Sequence, residues 1–188
     1  MEYLIVILPV SIIAYMMYYK LIKRKNKAFE ALSGIDVHLT KRSDLIPNIL
    51  KIASKHMEHE KDLFESITEL REKTKSGYDI NDPKQLKEHL NNHKALGDQM
   101  SQFVMRSEAY PDLKSNEPMN QAMKTYSEIE EQISAARRFY NSAVTDLNNS
   151  VEIFPGNIIA NFANVKIMDL YEGSENSRRS IDATDFLK

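Results

Sequence analysis

The stretch LTKRSDLIPNIL, Leu39–Leu50, places apolar residues at helical spacing around a proline. Leu39, Arg42, Ile46 and Ile49 alternate steps of three and four, the stepping of one helix face. That phase holds across Pro47, where a loop would lose it. Proline removes one backbone bond, to the carbonyl of Ser43, and its ring crowds that turn. The stretch therefore reads as a kinked helix and not as a helix end. Ser43 and Asp44 are suited to the backbone groups that a kink frees. Arg42 falls on the core side of the helix and needs a carboxylate, expected from Asp112 or Glu117.

Working outward, the same seam runs Leu32, Ile35, Leu39, Arg42, Ile46, Ile49, Ala53, His56, Glu60, Leu63, Ile67 and Leu70, which predicts one helix from Asn26 to Thr74. It stops at KSGYDINDP, where Gly77 and Pro83 punctuate and Asn81 or Asp82 can cap the next helix. A second helix, Pro83 to Ala109, has Leu86, Leu90, His93, Leu96, Met100 and Phe103 on one face. YPDLKSNEP makes a turn, expected near Arg42. A third helix follows to Val151, with Tyr126, Ile129, Ile133, Tyr140 and Leu147 on its seam. After IFPGN a shorter helix carries Ile158, Ile159, Phe162 and Val165 and ends near Tyr171. Residues 172–188 lack a core face and read as a flexible polar tail.

The chain has 188 residues, five glycines, six prolines, no cysteine and a net charge of −2. Scarce glycine and proline favour helix throughout, and the length suffices for one domain with a core. Without cysteine, disulfides, thiolate metal sites and cysteine nucleophiles are excluded. The nearly balanced charge gives no nucleic-acid surface.

YLIVILPVSIIAYMMYY, Tyr3–Tyr19, is free of charge. It sits at the short end of the length that spans a bilayer, and Leu21 and Ile22 extend it if Lys20 snorkels. Charge follows the apolar run instead of preceding it, so a retained anchor is expected and not a cleaved signal. The fold class expected is thus all-α: an N-terminal transmembrane helix over residues 1–25, followed by an antiparallel up-down four-helix bundle over residues 26–171 with its last helix short. The lipid bilayer would be met by residues 3–22, and anionic headgroups by Lys20, Lys23, Arg24, Lys25 and Lys27. The positive-inside rule puts the N-terminus outside and the bundle in the cytoplasm, as a single-pass protein of the cell membrane.

IDVHLTKRSDLIPNIL, His59-Glu60, Arg71, SEAYPDLKSNE, IEEQISAARRFYNSAV and FPGNIIA, in that order, resemble the LemA family. The resemblance covers Phe29 to Ala163, with DLIPN and RRFYN most distinctive; NFANVKIMDLYEGSE departs from the family's aromatic-rich end. It implies a bacterial, membrane-anchored helical bundle and supplies no catalytic residues.

Polar residues that interrupt the seams are the candidates for a site. His56 and Glu60 are four apart on one face, as are His89 and His93. Antiparallel register about Gly77 would set Leu63 near His93, with Glu60 a turn away and Arg137 and Tyr140 level with them. Arg42, His56, Glu60, His93, Arg137 and Tyr140 then form structural polar contacts or meet a partner. A layer that fixes helix register accounts for them best. A metal site is the alternative, but no histidine has glutamate three residues before it, and HMEHE at His56 matches no zinc-protease motif. No phosphate loop or nucleophile elbow is present.

No catalytic residue, cofactor or metal is assigned. The function expected is a membrane-anchored interaction scaffold with unidentified protein partners. The alternatives are a metal-binding or enzymatic bundle using Glu60 and His93, and a self-assembling, homo-oligomeric structural protein.

Overall fold

Helix begins at Glu2 and continues through both Pro9 and Pro47 to Ala53, forming α1. The computed structural model describes residues 2–80 and 82–171, with side chains from Ile7 onward. The expected polar tail, 172–188, lies outside the described residues. α1 is followed by α2 (Lys61–Thr74), α3 (Pro83–Ser107), α4 (Pro111–Lys114), α5 (Glu117–Glu152) and α6 (Gly156–Phe162), and no strand occurs among the described residues.

The chain reverses at residues 54–60, where the sequence predicts unbroken helix. The last carbonyls of α1 are taken within the turn, Ala53 accepting from both His56 N and Met57 N at 2.9 Å. Met57, fully buried, plugs the space beneath the turn, while His56 is left half-buried. Glycine and proline are absent here, so the turn is driven by burial of Met57 and not by local punctuation.

α2 then returns antiparallel to α1, with Arg71 and Thr74 against Ser43 and Tyr78 against Asp36. α3 reverses again, bringing Arg106 to Glu60 and Phe103 to Phe64, with ring centroids 6.2 Å apart. α3 begins at Pro83 because Asp82 caps it, accepting from Lys84 N at 2.9 Å. Asn116 caps α5 likewise, through Met119 N at 3.0 Å. α5 runs back along α1, Glu130 facing Arg42 and Ser150 facing Arg24. The four long arms α1, α2, α3 and α5 are an up-down-up-down bundle.

The hairpin register differs from the expected one. Glu60 meets Arg106 instead of lying near His93, because the reversal falls at Pro83 and residues 75–80 continue beside α1. The Tyr110–Pro118 turn consequently lies at the Glu60 end and not near Arg42.

α6 is short because the chain leaves it through a left-handed Asn164, φ 50°. Asn164 N bonds Asn161 O at 3.2 Å and Val165 N bonds Ala160 O at 3.0 Å, the Schellman arrangement that stops a helix. Residues 165–171 then run back along α5. Ala160 and Val165 are buried, whereas Ile158 and Phe162 face outward; the helix expected to end near Tyr171 ends at Phe162.

An N-terminal transmembrane helix is not part of this architecture: among the described residues, no helix is long and apolar enough to cross a membrane. Leu21 is buried in the bundle core and Ile22 packs against it, so neither extends the apolar run. The uncharged run, Tyr3–Tyr19, rises roughly 25 Å at ~1.5 Å per residue, against a hydrocarbon core of ~30 Å. Without a span, no orientation follows from the basic flank.

Two glycines give opposite expectations. Gly34 lies inside α1 with nothing within 4 Å of a β-carbon built there, so Gly34→Ala should raise the unfolding free energy by about 0.5–1 kcal/mol. A β-carbon on Gly156 would sit on the Ser150 carbonyl oxygen, so Gly156→Ala should lower it by about 1–3 kcal/mol. Urea denaturation followed by helical circular dichroism reads both.

Candidate functional site

Pro47 leaves the Ser43 carbonyl without its helical donor, and the bundle supplies one. Arg71 of α2 donates from Nε to that carbonyl at 2.8 Å, while Ser43 Oγ lies 3.2 Å from Thr74 Oγ1. The adjacent residue, Arg42, is 1% exposed. Its guanidinium donates to Glu130 Oε1 on α5 at 2.9 Å and to the His93 carbonyl on α3, and its Nε is buried without a hydrogen-bond partner. The carboxylate expected from Asp112 or Glu117 comes instead from Glu130, because the turn holding those two lies at the other end of α3. Gly97 makes room: a β-carbon there would stand 2.9 Å from Arg42 Nη1.

One turn below Leu39 a second polar group forms. Asp36 accepts from the Tyr78 hydroxyl and pairs with His89 Nε2 at 3.2 Å. Tyr78 stacks on His89, centroids 4.1 Å apart, and His89 meets His93 edge-on at 4.6 Å. His93 Nδ1 is buried without a hydrogen-bond partner. Burial, then His89 and Arg42, pushes the His93 pKa down to about 3, so the ring is neutral at pH 7. Burial and the Asp36 carboxylate push the Tyr78 hydroxyl up, so it stays a donor.

Arg137 and Tyr140 act on the chain's return. Arg137 donates to the Tyr171 hydroxyl at 3.0 Å and lies over that ring at 4.4 Å. Tyr140 donates to the Asp169 carbonyl at 2.9 Å; burial and Asp169 raise its hydroxyl to about 12. Asn141 pairs with both backbone groups of Tyr171, and Asn148 with both of Met168, at 2.8–3.1 Å. These side chains replace the backbone partners that a lone extended segment lacks.

The single polar layer expected of Glu60, His93, Arg137 and Tyr140 therefore does not form. Arg106 lies opposite Glu60, and thirteen residues of α3 at ~1.5 Å each separate it from His93. Glu60 instead ties the turns at one end, accepting from Arg106 and, at 3.4 Å, from the Tyr110 hydroxyl. His56 joins neither group. Among the described residues no set of three His, Asp or Glu side chains converges to hold a metal. Asp36, Tyr78, Glu130, Asn141, Asn148 and Tyr171 were not found from the sequence. Asp36 and Glu130 did carry a signal, an acid within one turn of a core-side position on each helix.

The chemistry of these groups is that of clasps: donors matched to carbonyls and carboxylates inside a bundle. Losing Glu130 strands a buried cation, whereas losing Arg42 leaves a carboxylate that is 35% exposed and can hydrate. Glu130→Ala should thus cost about 3–5 kcal/mol, and more than Arg42→Met, in chemical denaturation. Acid should also destabilise the fold through His93. Its folded pKa is depressed, so below the unfolded value of ~6.5 the unfolded chain binds the extra proton and stability falls as pH drops toward about 3. Between pH 7 and 5 this amounts to about 2 kcal/mol, and His93→Leu should flatten that part of the profile of urea midpoint against pH.

The LemA family model matches residues 31–186. No curated protein matches the chain. The matched region takes in the whole Arg42–Pro47 clasp, both polar groups and the Asn141 and Asn148 pairings. By that match the chain belongs to the LemA family.

Proposed function

We propose that this protein is a non-catalytic docking scaffold whose interaction element is the apolar beginning of α1. The observation that carries this reading is the exposure of Ile7, Leu8, Val10, Ile12, Ile13, Tyr15, Met16, Tyr18 and Tyr19, on all sides of one helix. A helix apolar all round has no face for water and needs a cover. The bundle does not supply it, since the first α1 residue buried in its core is Leu21. The polar groups within the bundle support the same reading: Arg42, Asp36, Tyr78 and Arg71 bond side chains and carbonyls of other segments of the bundle. A metal-dependent or enzymatic bundle built on Glu60 and His93 has no geometry in its favour, as the two residues face different partners. Self-assembly would use the same apolar helix, with a second copy as the cover.

Leu8, Ile12 and Met16 lie four apart and are exposed. Changing all three to serine should leave the thermal midpoint of the bundle within a few degrees and abolish detergent-sensitive association of the chain. Light scattering of the purified chain and flotation with lipid vesicles measure it. A parent chain that is monomeric without detergent and floats with no vesicle contradicts the docking reading. A discrete dimer lost in the triple variant makes the second copy the cover.

A further inference from the structure

The end of the bundle from which α1 projects carries a second apolar surface. Ile153 and Phe154 close α5 and are exposed, Phe154 at 73%; Ile158 and Phe162 project from α6, Phe162 at 89%. Phe154 and Ile153 share a cleft with Met17, Lys20, Leu21 and Arg24 of α1. Large apolar side chains thus stand level with the point where α1 turns from apolar to basic. From Lys20 to Ala28 the chain holds Lys20, Lys23, Arg24, Lys25 and Lys27 and no acidic residue. Arg24 also donates to Ser150, which fixes this end of α5 against α1.

We propose that the Ile153–Phe154 corner and the outer face of α6 form a lipid-interface shelf that seats this end of the bundle on an anionic bilayer. This rests on the docking reading and names its partner. The arrangement is that of an interfacial site: aromatic and aliphatic side chains enter the boundary between headgroups and acyl chains, with cations beside them at the depth of the phosphates. Charge decides between a lipid surface and an apolar protein groove. Five basic residues in one short segment match a phosphate plane, each adding attraction near an anionic surface. The shelf also accounts for the exposure of Phe162. Docking through α1 alone would leave the bundle free to tilt. A second contact, held to α1 through Leu21, Ile159 and Arg24, fixes its inclination.

The chain has no tryptophan, so a single substitution reports its own surroundings. In the full chain, Phe154→Trp should shift its emission to the blue on addition of vesicles containing phosphatidylglycerol, and brominated acyl chains should quench it. Met105→Trp, exposed on α3 near the Glu60 end, should remain water-like with the same vesicles. Changing Lys20, Lys23 and Lys27 to glutamine should weaken vesicle binding by roughly a hundredfold, and purely phosphatidylcholine vesicles should bind weakly from the start. Vesicle binding by the Phe154→Trp variant with its emission still water-like overturns the shelf and leaves docking through α1 standing. Equal shifts at positions 154 and 105 overturn it as well, since contact is then unspecific. Absence of vesicle binding by the parent chain overturns the lipid partner itself, and self-association or its absence then decides the docking reading.

Discussion

Two consecutive residues of α1 tie it to every other long helix. Arg42 reaches α5 through Glu130 and α3 through the His93 carbonyl; the Ser43 carbonyl receives Arg71 of α2. The second contact exists because Pro47 cannot donate to Ser43. A proline that would weaken an isolated helix therefore creates the acceptor that α2 uses. Arginine suits the first contact because its planar fork can serve two partners at once while fully buried.

This clasp lies between two apolar clusters. Leu21 to Leu39 of α1 pack with α5 from Ile129 onward and with α6 and the returning segment. Ile46 to Met57 pack with α2, the later part of α3 and Tyr126. Apolar packing is strong but tolerant of sliding, since one aliphatic turn fits nearly as well as the next. A buried cation is not tolerant, because a shifted register would strand it without a carboxylate. Arg42, Glu130 and His93 thus set the register that the two clusters alone would leave open. The Asp36, Tyr78 and His89 group fixes the 75–80 segment to the same level of α1.

The structure divides into a stable interior and an unsatisfied end. Arg42, Arg71 and Asp36 inside the bundle meet partners on other segments, as a scaffold needs. At the other extreme, α1 from Ile7 to Tyr19 and the outer residues of α6 expose apolar area that the fold does not cover. The proposed activity follows from that contrast.

Much of this was legible in the sequence. The all-helical class, the buried seams of α1 and α5, the Asp82 cap and the continuation of helix through Pro47 follow from local periodicity and capping chemistry, which depend on near neighbours only. The reversal at residues 54–60 did not, because SKHMEHE has no breaker and its residues keep the heptad phase; only burial of Met57 against distant helices decides it. The partner of Arg42 was equally out of reach. Glu130 is 88 positions away, and the identity of a long-range partner depends on a register set by every turn between them. The apolar run was plain in the sequence, but its usable length was not, because Leu21 is claimed by the bundle. Local pattern determined the helical class and which face of the long helices is apolar. Tertiary packing decided where the chain turns, which charges meet and how much of the apolar helix is left exposed, since those outcomes are fixed by competition among contacts between distant segments.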